Sequence, residues 1–267
     1  MGHGSEATVY ELTNGKILRL EHSPTGLDNL QTRVSLLSQL KSDPAKTGLK
    51  VPKVREYGTL HGRNYTIEDR LEGEVLAKVL ERLSGSRREE LIEDYMAATT
   101  KLGGLWTGDG KTFGDIAGGQ LIQRPTFREY LRDRAAKCLS VSRLNVDLEE
   151  LIKPITEPSQ PELVHLDYYP SNVLCSDSKI SAVLDFGSTS IAGWGLFNLA
   201  TGLAFLDPET TPNVNLGDQK QAQEWLKRTR PHLPFNAIQR WLAVYWSICD
   251  VKDAPFRYPW CRKVLDI

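Results

Sequence analysis

Residues 164–174 read Val-His-Leu-Asp-Tyr-Tyr-Pro-Ser-Asn-Val-Leu. His165 and Asp167 are two apart, and Asn172 follows Asp167 by five positions. Thirteen residues later, Asp185 opens Asp185-Phe186-Gly187. Apolar residues precede His165, follow Asn172 and precede Asp185. The pattern predicts that each polar group stands at the end of a buried strand. Carboxylates at two strand ends, with an Asn between them, can surround a phosphate-bound metal. Mg²⁺ takes a few carboxylate or amide oxygens and leaves its other positions to phosphates. A carboxylate that is not a ligand can then accept the proton of an attacking hydroxyl. The plainer reading is a pair of Asx turns beside a satisfied histidine. His-x-Asp-x-x-x-x-Asn alone arises by chance in roughly one chain per hundred of this length, and a following Asp-Phe-Gly lowers that by a factor of about a few hundred.

Around these residues the chain must supply strands and a support. Residues 8–12 and 17–20 flank Asn14-Gly15, which has the positive φ angles a tight hairpin needs. Leu27, Leu30, Val34, Leu37 and Leu40 recur at three and four, predicting a helix over about 26–41. Two more strands are expected at 53–60 and 63–70, with His61-Gly62 between them. The first 70 or so residues thus read β-β-α-β-β. Helices follow at 74–83, 87–106 and 126–139, then short strands at 162–165, 173–176 and 180–185. Further helices are expected at 195–206, 217–229 and 235–250. In the last of these Ile238, Trp241, Leu242, Tyr245 and Ile248 share a face.

Residues 164–187 resemble the catalytic loop and metal-binding segment of the protein-kinase-like superfamily. The closest likeness is to its aminoglycoside phosphotransferase and choline kinase branch. Pro170 stands two residues before Asn172, and residues 191–200 run straight into a helix with no long activation segment. The resemblance implies an α+β, bilobal fold. A small N-terminal β-sheet lobe with one helix, residues 1–70, would hold the nucleotide. A larger, mainly helical lobe, 71–267, would carry catalysis and substrate. It also implies that Asp167 is the catalytic base, that Asn172 and Asp185 hold Mg²⁺, and that His165 is structural. ATP and Mg²⁺ are the implied cofactors, and a small-molecule hydroxyl the acceptor.

Gly2-His3-Gly4-Ser5-Glu6-Ala7 reads as a Gly-rich turn whose amides, at Gly4 and Ser5, would approach phosphates. It also reads as a plain Gly-rich terminus. Residues 65–73 resemble the hinge between lobes, where backbone at 68–71, including Glu68 and Arg70, would meet the adenine edge. Two departures stand out. Arg19 occupies the place of the usual lysine, and the following helix offers Arg33 where glutamate is expected. Asp28 and Glu21 are other candidate partners, so the Lys–Glu ion pair does not carry over. Asn198 stands where relatives commonly have an acid, and Trp194-Gly195 where they often have Asp-Pro. These departures motivate the alternative of a nucleotide-binding pseudokinase or scaffold. A protein kinase is disfavoured by the missing activation segment.

The 267 residues carry 33 Lys and Arg against 34 Asp and Glu, so bulk charge points to neither nucleic acid nor a membrane surface. Apolar runs fall far short of the ~20 residues a spanning helix needs. The first residues lack a basic segment leading into an apolar one, and the four cysteines have no CxxC pair. Reduced thiols in the cytoplasm are the expectation, and the sequence sets no oligomeric state. From Leu196 onward seven acids face nine Lys and Arg, an argument against a strongly acidic acceptor pocket. Five of the six tryptophans lie in the last 74 residues. An aromatic cage for a quaternary ammonium, sugar stacking and helix-core packing would all use them.

Overall fold

The computed structural model describes residues 2–3, 7–22, 27–41, 47–106, 108, 110–142, 144–249 and 257–267. Asn14 and Gly15 both take positive φ, 65° and 69°, and close a hairpin between β2 (Ala7–Leu12) and β3 (Lys16–Glu21). With β1 (Gly2–His3), β4 (Val54–Leu60) and β5 (Arg63–Asp69) they form an antiparallel sheet ordered β1-β2-β3-β5-β4. Helix α1 (Leu27–Gln39) buries Leu30, Leu36 and Leu37, while Val34 is only half-buried. Among the described residues, no strand of this sheet pairs with residues 162–185; the first hairpin continues into β5.

The chain leaves the sheet through Gly73, whose φ is +133°. A Cβ there would stand 2.8 Å from the Cys175 carbonyl, so only glycine fits this close crossing. β6 (Glu74–Val75) then leads into α2 (Leu76–Arg82) and α3 (Gly85–Leu102). The short strands β7 (Phe113–Asp115) and β8 (Gln123–Arg124) were not expected from sequence, nor was α5 (Leu148–Ile152) after α4 (Phe127–Ser142). β9 (Glu162–His165), β10 (Val173–Ser176) and β11 (Lys179–Val183) fall where expected, except that β11 stops two residues before Asp185. β12 (Ser190–Gly193) completes a sheet ordered β8-β7-β12-β9, and a separate one runs β11-β10-β6. The remaining helices are α6 (Phe197–Ala204), α7 (Leu216–Thr229), α8 (Phe235–Trp246) and α9 (Arg257–Leu265). α8 ends at Trp246, so Ile248 drops out of the expected apolar face and is exposed.

Two apolar cores lie on either side of β9, β12 and α6. Strand alternation sends Leu163 and Ala192 to one core and Val164 and Ile191 to the other. Trp225 serves the first core, and Trp241, Trp246 and Trp260 the second. Of the uses open to the late tryptophans, these four are in helix packing. Among the described residues, no helix is long and apolar enough to cross a membrane. Cys138, Cys175 and Cys261 are buried, and Cys249 is half-buried.

Candidate active site

β9 ends at His165 and β10 begins at Val173, so the loop between them carries Asp167 and Asn172. β11 ends at Val183, and the turn into β12 carries Asp185. Leu184 N–H donates to the Asn172 carbonyl at 2.7 Å, which draws the two loops together. Asp185 is in the left-handed region at φ 59°. That conformation is uncommon for a residue with a side chain, though tolerated by Asp, and it collects at functional sites.

His165 is fully buried between the loops. Its Nε2 lies 2.9 Å from the Leu184 carbonyl, and the Asp167 N–H donates to its Nδ1 at 3.2 Å. A carbonyl can only accept and an amide can only donate, so the two partners assign the neutral ring with its proton on Nε2. Burial lowers the imidazole pKa; the Leu184 bond and the charges of Asp167 and Asp185 oppose this without reversing it. The Phe186 ring packs 4.8 Å from the His165 ring. Asn198 is also fully buried. Its Oδ1 accepts from the His165 N–H at 2.8 Å, and its Nδ2 donates to the Leu163 carbonyl at 2.8 Å. It thus satisfies one edge of β9 as a neighbouring strand would. Beneath the loop, the Tyr95 and Tyr168 rings stack at 4.6 Å, and each hydroxyl donates to the other's backbone carbonyl.

Asn172 Nδ2 donates to Asp167 Oδ2 and to the Asp167 carbonyl, both at 3.0 Å, which fixes the carboxylate relative to the loop. Asp167 and Asp185 line one cavity of about 340 Å³ together with Arg19, Arg33, Ser188 and Thr189. Arg19 Nη1 donates to Asp185 Oδ1 at 2.7 Å. Burial would push the Asp185 carboxyl up, but Arg19 outweighs it, with Arg33 adding, and holds the group below its ordinary value. Lys16, the other cation of β3, is exposed.

Among the described residues, no cluster of three His, Cys, Asp or Glu side chains could hold a metal. That excludes an all-protein cage but not the Mg²⁺ pattern, in which one or two side-chain oxygens share the ion with phosphates and water. Asp185 lines the cavity with hard oxygens that fit that pattern, whereas Asn172 offers the right kind of oxygen but does not line the cavity.

The remaining expected site residues are placed differently. Gly4 and Ser5 lie outside the described residues. The Glu68 side chain is buried in an ion pair with Arg33. Arg70 is exposed: its guanidinium meets Glu11, and its N–H donates to the Gly15 carbonyl at 2.9 Å. Asp69 N–H donates to the Lys53 carbonyl at 3.1 Å. The strand end expected to meet an adenine edge is therefore already bonded at 69 and 70. β5 itself ends at Asp69, one residue short of the expected 63–70, and Arg70 is the first residue beyond it. Sequence reasoning also missed the loop after β7. There Thr32 of α1 accepts from the Gly118 N–H at 3.1 Å, and Ala117, Gly118 and Gly119 form a wall of the cavity. A two-glycine stretch between very short strands gave no signal for that role.

A profile of the phosphotransferase enzyme family, APH, matches residues 1–232. A comparison with curated protein sequences finds no match. Solved structures are similar over nearly the whole chain. Aminoglycoside phosphotransferase APH(3'')-Id from Streptomyces rimosus is 14% identical, with 91% of this chain and 90% of that one covered and a TM-score of 0.57. APH(2'')-IIa in complex with gentamicin is 16% identical, with 100% and 87% covered and a TM-score of 0.54. ADP-bound aminoglycoside phosphotransferase APH(2'')-Ib is 12% identical, with 99% and 90% covered and a TM-score of 0.54. At these identities the likeness is one of fold: an antiparallel N-terminal sheet followed by a mostly helical remainder.

Proposed function

Since the chain belongs to the phosphotransferase enzyme family, we propose that it moves the γ-phosphate of ATP to a hydroxyl of a small molecule. The observation that carries this reading is the single cavity lined by Asp167, Asp185 and Arg19. Asp167 accepts the proton of the acceptor hydroxyl and aims its oxygen along the line of attack. Its carboxylate is held for this by Asn172, and its backbone by His165. Arg19 presents a guanidinium to the phosphate oxygens, for which its planar fork is suited. Asn172 and Asp185 would hold Mg²⁺, which supplies positive charge to the phosphates when bound. Gly4 and Ser5 would cover the phosphates from the N-terminal turn. In the same reading residues 1–70 hold the nucleotide, residues 71–267 carry catalysis and the acceptor, and the cytoplasm supplies the ATP.

The test is ADP release from Mg²⁺–ATP in the presence of aminoglycosides, choline and simple sugars. The panel includes gentamicin because a structural neighbour holds it. At least one acceptor is expected to stimulate release. Asp167→Asn is expected to bind ADP as the parent does and to transfer about 10²–10⁴-fold more slowly, the usual span of general-base help. Parental transfer by that variant would remove Asp167 as the base. A parent that binds nucleotide and phosphorylates no hydroxyl would favour the nucleotide-binding pseudokinase.

A further inference from the structure

Helix α1 carries a cation, Arg33, on its inward face, at a depth where charge is costly unless paired. The Arg33 side chain is 10% exposed and that of its partner Glu68 is 5% exposed. Arg33 Nη1 and Nη2 both donate to Glu68 Oε1, at 3.0 and 3.1 Å. Thr66 Oγ1 donates to the same oxygen at 2.6 Å. The third donor, Arg33 Nε, points elsewhere, to the Phe186 carbonyl at 3.2 Å. One planar guanidinium thus joins three pieces of chain: α1, strand β5, and the turn that holds Asp185. An ammonium lacks this fixed fork.

The consequence is clearest at Asp185. The residue before it is held through its carbonyl by His165 Nε2, and the residue after it through its carbonyl by Arg33 Nε. Asp185 sits between these two bonds in a left-handed conformation that needs outside support. Resting on the phosphotransferase reading above, we propose that Arg33 is a positioning residue for Asp185. Glu68 and Arg33 form the tie between helix and sheet, which leaves Arg19 to face the cavity. Charge is swapped relative to the Lys–Glu pair of the resemblance: the helix supplies the cation and a sheet strand the acid. The Glu68 side chain therefore contributes to holding α1.

The experiment measures binding of a fluorescent ADP analogue, with Mg²⁺ and with EDTA, to the full chain and to Arg33→Met, Arg33→Lys and Glu68→Gln. Circular dichroism checks each fold. Removing a group that orients a metal ligand typically weakens the metal's contribution by about 10–100-fold. Arg33→Met is expected to lose Mg²⁺-dependent tightening, read as the ratio of affinity with Mg²⁺ to affinity with EDTA, on that scale. Arg33→Lys is expected not to restore it, and Glu68→Gln is expected to fall between. Equal weakening with and without Mg²⁺ would mark a merely structural role and overturn the proposal, as would parental tightening in Arg33→Met. Should Arg33→Met fail to fold, Arg33→Lys and Glu68→Gln decide, and parental Mg²⁺ tightening in both overturns the proposal. A parent that binds no nucleotide fails before any variant is compared. That outcome sinks the phosphotransferase reading and this proposal with it.

Discussion

His165 shows how one buried side chain sets a pH limit on the whole loop. Its folded pKa lies below the ordinary histidine value because burial disfavours the cation. Between the two values the unfolded chain binds a proton that the folded chain refuses, so stability falls as pH falls. Its contribution is therefore complete above about pH 6.5, the ordinary histidine value, and is lost progressively below it. The melting temperature of the parent should be level above that pH and decline beneath it, whereas His165→Gln should lack that part of the slope. Parallel curves for the two proteins would show that the imidazole is not held neutral. Asp185 works in the same direction at lower pH: its depressed carboxyl contributes fully above the ordinary aspartate value and is lost in stronger acid. His165, Asp167, Asn172 and Asp185 were legible together because they fall within 21 residues, on two strand ends and the loop between them. Arg33 and Glu68 were each noticed and assigned elsewhere. They are 35 positions apart on a helix and a strand, and no periodicity relates them.

At the scale of elements, β9 and α6 meet through Asn198 and not through apolar packing alone. Asn198→Leu would bury the His165 N–H and the Leu163 carbonyl without their partners, at a cost of about 1–3 kcal/mol for each group left unpaired. Asn198→Asp keeps an acceptor for His165 but turns an oxygen toward the Leu163 carbonyl. It should therefore destabilise too, by less than Asn198→Leu. Urea unfolding of the three proteins would check the order, and a Leu variant as stable as the parent would refute it. An acid at this place is thus not simply interchangeable with Asn198 here. Elements with a repeated spacing were readable from sequence: α1 and α8 show apolar residues three and four apart over several turns. β7 and β8 have three and two residues, too few for an alternation to register, and β12 is Ser-Ile-Ala-Gly, buried along its whole length and without a polar–apolar alternation. Yet β12 pairs with both β7 and β9, and so fixes the sheet that delivers His165.

For the molecule as a whole, residue 70 marks no boundary in packing. Leu36, Leu37 and Leu40, from α1 and the residue that follows it, belong to the same core as Leu102, Leu105 and Trp106. Lys41 N–H donates to the Leu105 carbonyl at 2.6 Å. Lys50 exchanges two backbone bonds with the β11 strand, donating to the Ser181 carbonyl at 2.9 Å and accepting from the Val183 N–H at 3.0 Å. The helix that carries Arg33 is therefore built into the larger part of the chain, while the sheet that carries Arg19 and Glu68 rests against it. A folding unit that stopped at residue 70 would expose those leucines and leave those backbone groups without partners. The full chain should then unfold in one calorimetric transition, with the calorimetric and van't Hoff enthalpies equal. Residues 1–70 produced alone should show the circular dichroism of an unfolded chain. Two resolved transitions, or a folded 1–70 fragment, would mean that the sheet is stable without the core it shares. In that case Arg33 would be a contact between two independently stable units, not part of one.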